Sequence, residues 1–162
     1  MTIQKGDTLP DAKLLAMGAN GPEQVALSDK FKGRKVVIFG LPGAFTGTCS
    51  TAHVPSFMRT RDGFAEKGVD EVICLSVNDP FVMKAWGDDT GGTGAGITFL
   101  ADPASEFTTA IGMNFSAPPA GFIDRSQRYA MLVEDGKVSI LNAGDQPGEC
   151  EISAGETLLE QM

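Results

Sequence analysis

A continuous apolar run over residues 35–41 constrains the fold of this chain more than any other feature. The run reads KVVIFGL, and a second run, EVICLSV, occupies residues 71–77. Such runs are typical of central strands that are covered on both faces. Between them, apolar residues recur at helical spacing at Val54, Phe57, Met58, Phe64 and Ala65. Strand, helix and strand in this order form a parallel crossover unit, so the sequence predicts an α/β fold.

Helix-start signals recur along the rest of the chain. Asp79 before a proline predicts a helix with Asp79 as its N-cap. A third buried strand is expected over residues 96–100, and Asp102, also followed by proline, repeats the cap signal before a short helix that ends near Gly112. Residues 153–156 read Ser-Ala-Gly-Glu, which is a capping box for a last helix. Helices therefore alternate with strands over most of the sequence.

A hairpin is the clearest antiparallel element. Asp135-Gly136 separates the apolar segments 128–134 and 137–141, and Asp-Gly between two such segments is a strong hairpin signal. Further extended segments are expected around Leu14 and Val25. We therefore predict a thioredoxin-like three-layer fold, in which a central mixed sheet is flanked by helices.

Length and charge narrow the classes of function. The 162 residues fit a single domain over 1–162. The net charge of -8 disfavours nucleic acid and anionic membrane surfaces as partners. No apolar run approaches the ~20 residues of a membrane span, and the first residues lack the apolar core of a secretory signal. We expect a cytoplasmic protein without cofactor or metal; an organelle stays an alternative if an N-terminal segment has been removed.

The segment after the first buried strand carries the most reactive residue type. Cys49 lies between this strand and the next helix, and ligands in open α/β sheets bind at the carboxyl ends of strands. A cysteine in the first turn of a helix is stabilised as a thiolate by free N–H groups and the helix dipole. Ionisation alone gains at most ~30-fold in rate over an ordinary thiol at pH 7. Donors such as the Thr46 hydroxyl and the Arg128 guanidinium are therefore also needed.

Three sequence blocks resemble a known family. The first reads PGAFT at residues 42–46, followed by Cys49-Ser50, His53 and Pro55. The second covers residues 76–86, and the third reads Arg-Tyr-Ala at 128–130. Together they are similar to the type II, peroxiredoxin-5-like peroxiredoxins, and the resemblance extends over nearly the whole chain.

This resemblance implies a thiol peroxidase. Cys49 looks like the peroxidatic cysteine, Thr46 like the threonine that holds the peroxide, Pro42 like the proline that shields the thiolate and Arg128 like the stabilising arginine. The implied chemistry is thiolate attack on a peroxide, giving a sulfenic acid that condenses with a second thiol. The family also implies glutathione with glutaredoxin, or thioredoxin, as reductant, and a homodimer that meets near the active site. The family usually has proline where this chain has Gly47, which loosens the loop.

The other two cysteines and the single histidine allow alternatives. Cys74 lies in an apolar run, as a core residue would. Cys150 is either incidental or a resolving cysteine, and its flanking Glu149 and Glu151 disfavour a thiolate. His53 follows Cys49 by four residues, so both side chains can share a helix face; a supporting hydrogen bond is the expected role.

Two other functions compete with the peroxidase. One is a thioredoxin-like thiol–disulfide oxidoreductase, which is disfavoured because Thr46 stands where the first cysteine of a C-x-x-C motif would be. The other is a non-catalytic redox-sensing or binding module. Rapid loss of one thiol with hydrogen peroxide distinguishes the peroxidase from both.

Overall fold

A seven-stranded mixed sheet forms the centre of the protein. The computed structural model describes residues 2–145 and 149–162. The strand order is β2-β1-β5-β4-β3-β8-β9, and β6 and β7 form a separate two-stranded sheet. The strands are β1 (Lys13–Gly18), β2 (Gly21–Ala26), β3 (Lys35–Leu41), β4 (Glu71–Ser76), β5 (Ile97–Ala101), β6 (Asn114–Ala117), β7 (Phe122–Ser126), β8 (Tyr129–Glu134) and β9 (Lys137–Ala143).

The two apolar runs are the paired central strands β3 and β4. They are parallel, as β4 and β5 are, whereas β8 pairs antiparallel with β3. Successive β3 residues belong to opposite core clusters: Val36 and Ile38 to one, Val37 and Phe39 to the other. The alternation follows from the two-residue period of a strand and explains why the run contains no polar break. The predicted mixed sheet is confirmed.

Helices cover both faces of this sheet. Phe57, Met83 and Leu158 place α2, α3 and α5 in one core cluster, while Phe31 and Phe107 place α1 and α4 in the other. The predicted three-layer arrangement is therefore confirmed. No helix among the described residues has the length and apolar character of a membrane span. The helices are α1 (Ser28–Phe31), α2 (Val54–Glu66), α3 (Pro80–Thr90), α4 (Glu106–Ala110) and α5 (Gly155–Glu160).

A wide helical turn precedes α2. Residues Cys49–His53 are π-helical, and the Val54 N–H donates to the Cys49 carbonyl five residues back. Pro55 follows at once, and a proline lacks the N–H that a regular α-helix needs there. A π-turn of this kind is a frequent feature of functional sites, and here it contains the cysteine that the sequence singles out.

The helix start at Asp79 is confirmed, whereas the one at Asp102 is confirmed only in part, because the N-cap of α4 is Ser105. Asp79 is the N-cap of α3, and its carboxylate accepts from the Val82 N–H. Asp102 accepts from the Thr108 N–H at 2.9 Å, although α4 begins only at Glu106. In both places a carboxylate binds N–H groups that the first helical turn leaves unpaired.

The predicted capping box at residues 153–156 is wrong. Ala154 is the N-cap of α5, and no side chain caps it. The Ser153 hydroxyl instead donates to the Asp145 carboxylate at 2.6 Å. That carboxylate also accepts the backbone N–H groups of residues 151–153. The Ser153 N–H and hydroxyl both donate to this carboxylate, so the loop determines the position of Ser153, one residue before the N-cap of the helix.

The β6–β7 sheet was not predicted from the sequence. Its strands have four and five residues and are joined through a 3₁₀ turn at Pro118–Ala120. Short strands with partly exposed, polar positions lack the apolar run that marked β3 and β4. The hairpin between β8 and β9, by contrast, is confirmed, with positive φ angles at both Asp135 and Gly136.

Candidate active site

Cys49 lies at the carboxyl edge of the central sheet. The helical conformation begins at Gly47, two residues before it and six residues after the end of β3 at Leu41. The Cys49 side chain is 1% exposed. The prediction that this cysteine occupies the first turn of a helix at a strand end is confirmed.

Arg128 contacts this cysteine from the neighbouring strand. It directly precedes β8, and the antiparallel register pairs Tyr129 with Gly40 near the end of β3. The Arg128 Nη1 atom lies 3.5 Å from the Cys49 sulfur. The guanidinium is buried, at 3% exposure. The fold thus brings together two residues that are 79 positions apart in sequence.

His53 is the second partner of the same guanidinium. Its Nδ1 lies 3.1 Å from Arg128 Nη1, and its Nε2 lies 3.1 Å from the Ser153 carbonyl oxygen. A carbonyl only accepts hydrogen bonds, so Nε2 carries the proton and Nδ1 accepts from the arginine. Burial, with the positive charge of Arg128, lowers the pKa of His53 from 6.5 to about 3. The imidazole is therefore neutral at physiological pH.

Aromatic rings enclose this histidine. The His53 ring centroid lies 5.0 Å from that of Phe39 and 5.6 Å from that of Phe57, and the two phenylalanine rings stack at 4.0 Å. This apolar surround is the reason that the charged imidazolium is disfavoured. The predicted supporting role of His53 agrees with this geometry, since it contacts the arginine rather than the sulfur.

The loop between β3 and Cys49 is held at both ends of its turn. The Thr46 hydroxyl donates to the Gly43 carbonyl at 2.6 Å. The Ala44 N–H donates to Asn78 Oδ1 at 3.0 Å, and the Ser76 hydroxyl donates to the same oxygen at 2.7 Å. Asn78 thereby joins the loop to the end of β4. Asn78 belongs to the second family block, residues 76–86. Its contact with the loop follows only from the fold.

Three predicted site residues share one small cavity. It has a volume of about 220 Å³. A cavity of this size admits a small ligand rather than a drug-sized one, for which ~300–1,000 Å³ is usual. The lining residues are Pro42, Thr46, Gly47, Thr48, Phe122 and Arg128. Cys49 is not among these lining residues; it directly follows Thr48 in the chain, and its sulfur contacts Arg128.

The remaining cysteines lie in different environments. Cys74 is fully buried in β4, and burial raises the pKa of its thiol, as expected of a core residue. Cys150 is partly buried, and burial raises the pKa of its thiol from 9.0 to about 11, with Asp145 and Glu156 adding to the shift. The acidic groups that act on Cys150 are therefore not its sequence neighbours. Residues 147–148, which the sequence assigns to the same loop, lie outside the described residues.

The charge of Arg128 acts on Cys150 as well. It opposes the rise in the pKa of that thiol. All three cysteines are free thiols. Within residues 2–145 and 149–162, no three His, Cys, Asp or Glu side chains form a group that could hold a metal ion.

Known proteins resemble this chain in sequence and in fold. The family model described as Redoxin matches residues 4–159. The chain belongs to the redoxin family. Peroxiredoxin-2B of Arabidopsis thaliana is 40% identical over 99% of this chain and 98% of its own length. Reduced Prx3 of Vibrio vulnificus, solved in complex with hydrogen peroxide, superposes with a TM-score of 0.92 at 41% identity, covering 99% of both chains. Peroxiredoxin 5 of Alvinella pompejana superposes with a TM-score of 0.84 at 34% identity, covering 98% of this chain and 96% of that one.

Within the redoxins, this chain is a peroxiredoxin and a thiol peroxidase, as the sequence blocks predicted. The non-catalytic module and the general thiol–disulfide oxidoreductase are thereby set aside. Other relatives have names that mark them as mitochondrial or chloroplastic, among them Peroxiredoxin-2F of Arabidopsis thaliana and Peroxiredoxin-2E-2 of Oryza sativa.

Proposed function

We propose that this thiol peroxidase reduces hydrogen peroxide and organic hydroperoxides with Cys49 as its peroxidatic residue. The observation that carries the proposal is the position of Arg128 Nη1, 3.5 Å from the Cys49 sulfur and 3.1 Å from His53 Nδ1. The neutral imidazole accepts a hydrogen bond from the guanidinium and orients it, but does not neutralise its positive charge. The cation is then free to stabilise the thiolate and the negative charge that develops on the peroxide oxygens.

The proposed step is a displacement at oxygen. The Cys49 thiolate donates an electron pair to one peroxide oxygen, a sulfur–oxygen bond forms and the oxygen–oxygen bond breaks. Sulfur is oxidised to sulfenic acid, and the departing oxygen leaves as hydroxide or alkoxide. A proton from solvent converts it to water or an alcohol. The sulfenic acid is then reduced by a thiol.

Two further side chains orient the peroxide in this proposal. The Thr46 hydroxyl donates its proton to the Gly43 carbonyl, so its oxygen lone pairs remain to accept a hydrogen bond from the peroxide. Pro42 contributes an apolar wall of the same cavity and shields the thiolate from water. Electrostatic interactions are stronger in such a water-poor site than in bulk solvent.

Replacement of the nucleophile tests the assignment. Cys49→Ser should abolish peroxide consumption, because a serine hydroxyl is not ionised near neutral pH. Cys74→Ala is the matched control, since Cys74 is the other cysteine of the same core cluster and should leave turnover close to that of the wild type. Peroxide consumption by Cys49→Ser at the wild-type rate would refute the proposal.

The reductant is proposed to be glutathione with glutaredoxin, or thioredoxin. The buried Cys49 and the raised pKa of the Cys150 thiol, about 11, favour an external thiol over Cys150 as the resolving group. Mass spectrometry of the peroxide-treated protein distinguishes the cases: a Cys49–Cys150 peptide indicates internal resolution, and a Cys49–glutathione adduct indicates external resolution.

A homodimer that meets beside the active site is also proposed. Phe45 and Phe81 are 55% and 62% exposed. Phe45 lies in the loop after β3 and Phe81 in the first turn of α3, and the hydrogen bond from the Ala44 N–H to Asn78 connects these two segments. Exposed aromatic side chains are enriched at protein interfaces.

A cytoplasmic location remains a proposal, which localisation of the tagged protein tests.

A further inference from the structure

Arg125 on β7 contacts the backbone of the loop that precedes Cys49. Its Nη1 donates to the Pro42 carbonyl oxygen at 3.1 Å. Among the described residues, no carboxylate forms an ion pair with this arginine. The principal polar partner of the guanidinium is therefore a carbonyl that lies four residues before Thr46.

The same guanidinium lies against Gly43. An added Cβ at position 43 would clash with Arg125 Nη1. Gly43 has no positive φ angle, so a side chain at this position would displace the end of the Arg125 side chain without straining the backbone. The absence of a side chain lets the arginine reach the Pro42 carbonyl.

Arg125 and Thr46 hold successive carbonyls of this loop. Arg125 binds the Pro42 carbonyl, and the Thr46 hydroxyl donates to the Gly43 carbonyl at 2.6 Å. The orientation of one peptide unit restricts that of the next, because only the φ and ψ angles between them rotate. A displaced Pro42 carbonyl therefore changes the direction of the Gly43 carbonyl and of the hydroxyl that is bound to it.

Arg125 also contacts the opposite wall of the cavity. Its guanidinium carbon lies 5.3 Å from the centroid of the Phe122 ring, which is a cation–π distance. Phe122 lines the cavity together with Thr46. Phe115 supports Phe122 edge-on, at 6.1 Å between ring centroids. One side chain thus connects the two walls of the proposed peroxide cavity, the loop and the β6–β7 sheet.

We propose that Arg125 is a positioning residue of the peroxide site: it holds the Pro42–Gly43 backbone so that the Thr46 hydroxyl faces the bound peroxide. This inference rests on the proposed role of Thr46. Arg125 acts on the geometry of peroxide binding and not on the ionisation of Cys49, because Arg128, not Arg125, contacts the sulfur.

The test compares two reactions of the same thiolate. Arg125→Met removes the hydrogen bond and the charge but keeps an unbranched chain. The second-order rate of sulfenic acid formation with hydrogen peroxide should fall about 10–100-fold, since misplacement by about 1 Å has effects of that order. Alkylation of Cys49 by iodoacetamide, which does not use the Thr46 hydroxyl, should stay within about twofold, because a partly exposed charge is largely screened. Arg125→Lys, which keeps a donor and the charge, should recover part of the peroxide rate.

A double-mutant cycle then asks whether Arg125 acts through Thr46. If it does, Arg125→Met combined with Thr46→Val should react no more slowly than Thr46→Val alone. Arg61→Met is the matched control, because Arg61 Nε also donates to a glycine carbonyl, that of Gly96, at 3.3 Å. This control should keep the wild-type rate. If Arg125→Met does not fold, the cycle is measured with Arg125→Lys in its place.

Three outcomes would overturn the inference: an unchanged peroxide rate in Arg125→Met, an equal fall of the peroxide and iodoacetamide rates, or fully additive effects in the cycle. Failure of the Thr46 assignment has a different signature. In that case Thr46→Val itself would react with peroxide at the wild-type rate.

Discussion

The imidazole of His53 accepts a hydrogen bond from the guanidinium of Arg128 at 3.1 Å. Its other nitrogen donates to the Ser153 carbonyl, in a loop that Asp145 holds through three backbone N–H groups and the Ser153 hydroxyl. The contact between Arg128 and the sulfur therefore depends on a chain of buried hydrogen bonds that extends to the C-terminal loop. Each member is hydrogen-bonded to the next, so the position of the guanidinium is linked to that of the loop.

Arg128→Met should slow peroxide reduction by more than the loss of thiolate explains. Ionisation accounts for at most ~30-fold at pH 7, whereas a lost donor to the reacting oxygens has a further effect of about 10²–10³-fold. The rate should therefore stay below that of the wild type even on the plateau that both proteins reach at alkaline pH. A pH–rate profile with the same midpoint and the same plateau as the wild type would refute the role. Arg128→Lys is the control for charge without the planar guanidinium.

His53 should make the folded state less stable in acid. Its pKa is about 3 in the folded protein and about 6.5 when exposed, so between these values the unfolded chain binds a proton that the folded chain does not. The free energy of unfolding should therefore fall as the pH decreases below about 6.5, by at most ~1.4 kcal/mol per pH unit from this group. Denaturation of His53→Gln from pH 7 to pH 4 should show a shallower loss. Parallel curves for the two proteins would contradict the prediction.

Gly47→Pro should change the second step of the cycle rather than the first. Position 47 opens the helical stretch, where proline is favoured, and no atom lies within 4 Å of an added Cβ. Proline reduces the loop's alternative conformations, and local unfolding is what exposes Cys49 to a distant thiol. If Cys150 resolves, disulfide formation should slow while sulfenic acid forms as fast or faster.

Two probes separate these steps. Trp86 Nε1 donates to the Ser50 hydroxyl at 2.9 Å, so the fluorescence of the single tryptophan reports on the turn that contains Cys49. Dimedone traps the sulfenic acid. Persistent dimedone labelling of wild-type Cys49, with no Cys49–Cys150 peptide, would show that an external thiol completes the cycle.

Phe81→Asp should weaken the proposed dimer. A charge in place of an exposed aromatic ring has to be desolvated on association, so the variant should sediment as a monomer at concentrations where the wild type is a dimer. Ile152→Asp is the control, since Ile152 is also exposed but lies in the C-terminal loop. A wild-type protein that is monomeric throughout would exclude the dimer, and equal dissociation of both variants would place the interface elsewhere.

The amino-acid sequence alone determined the layered fold and indicated the proposed nucleophile. The runs that became β3 and β4 are apolar because both faces of a central strand are buried, and this pattern is local. The same holds for the Asp135-Gly136 turn and for the Asp79 cap of α3. Cys49 could be proposed as the nucleophile because a strand end, a helix start and a family motif coincide there.

Only the tertiary structure decided which distant groups surround that cysteine. The contact of Arg128 with Cys49 spans 79 positions and was expected only from the family resemblance. No sequence pattern indicated the contact of Ser153 with His53, which spans 100 positions. The Ser153 capping box failed because the Asp145 carboxylate binds both the N–H and the hydroxyl of Ser153 in the preceding loop, so the helix begins one residue later, with Ala154 as its N-cap. Arg125 was missed because it lies on a short strand without an apolar run, and its proximity to Gly43 exists only after β7 has folded beside the end of β3. Pairings over such separations depend on packing of the whole chain, which local sequence patterns do not specify.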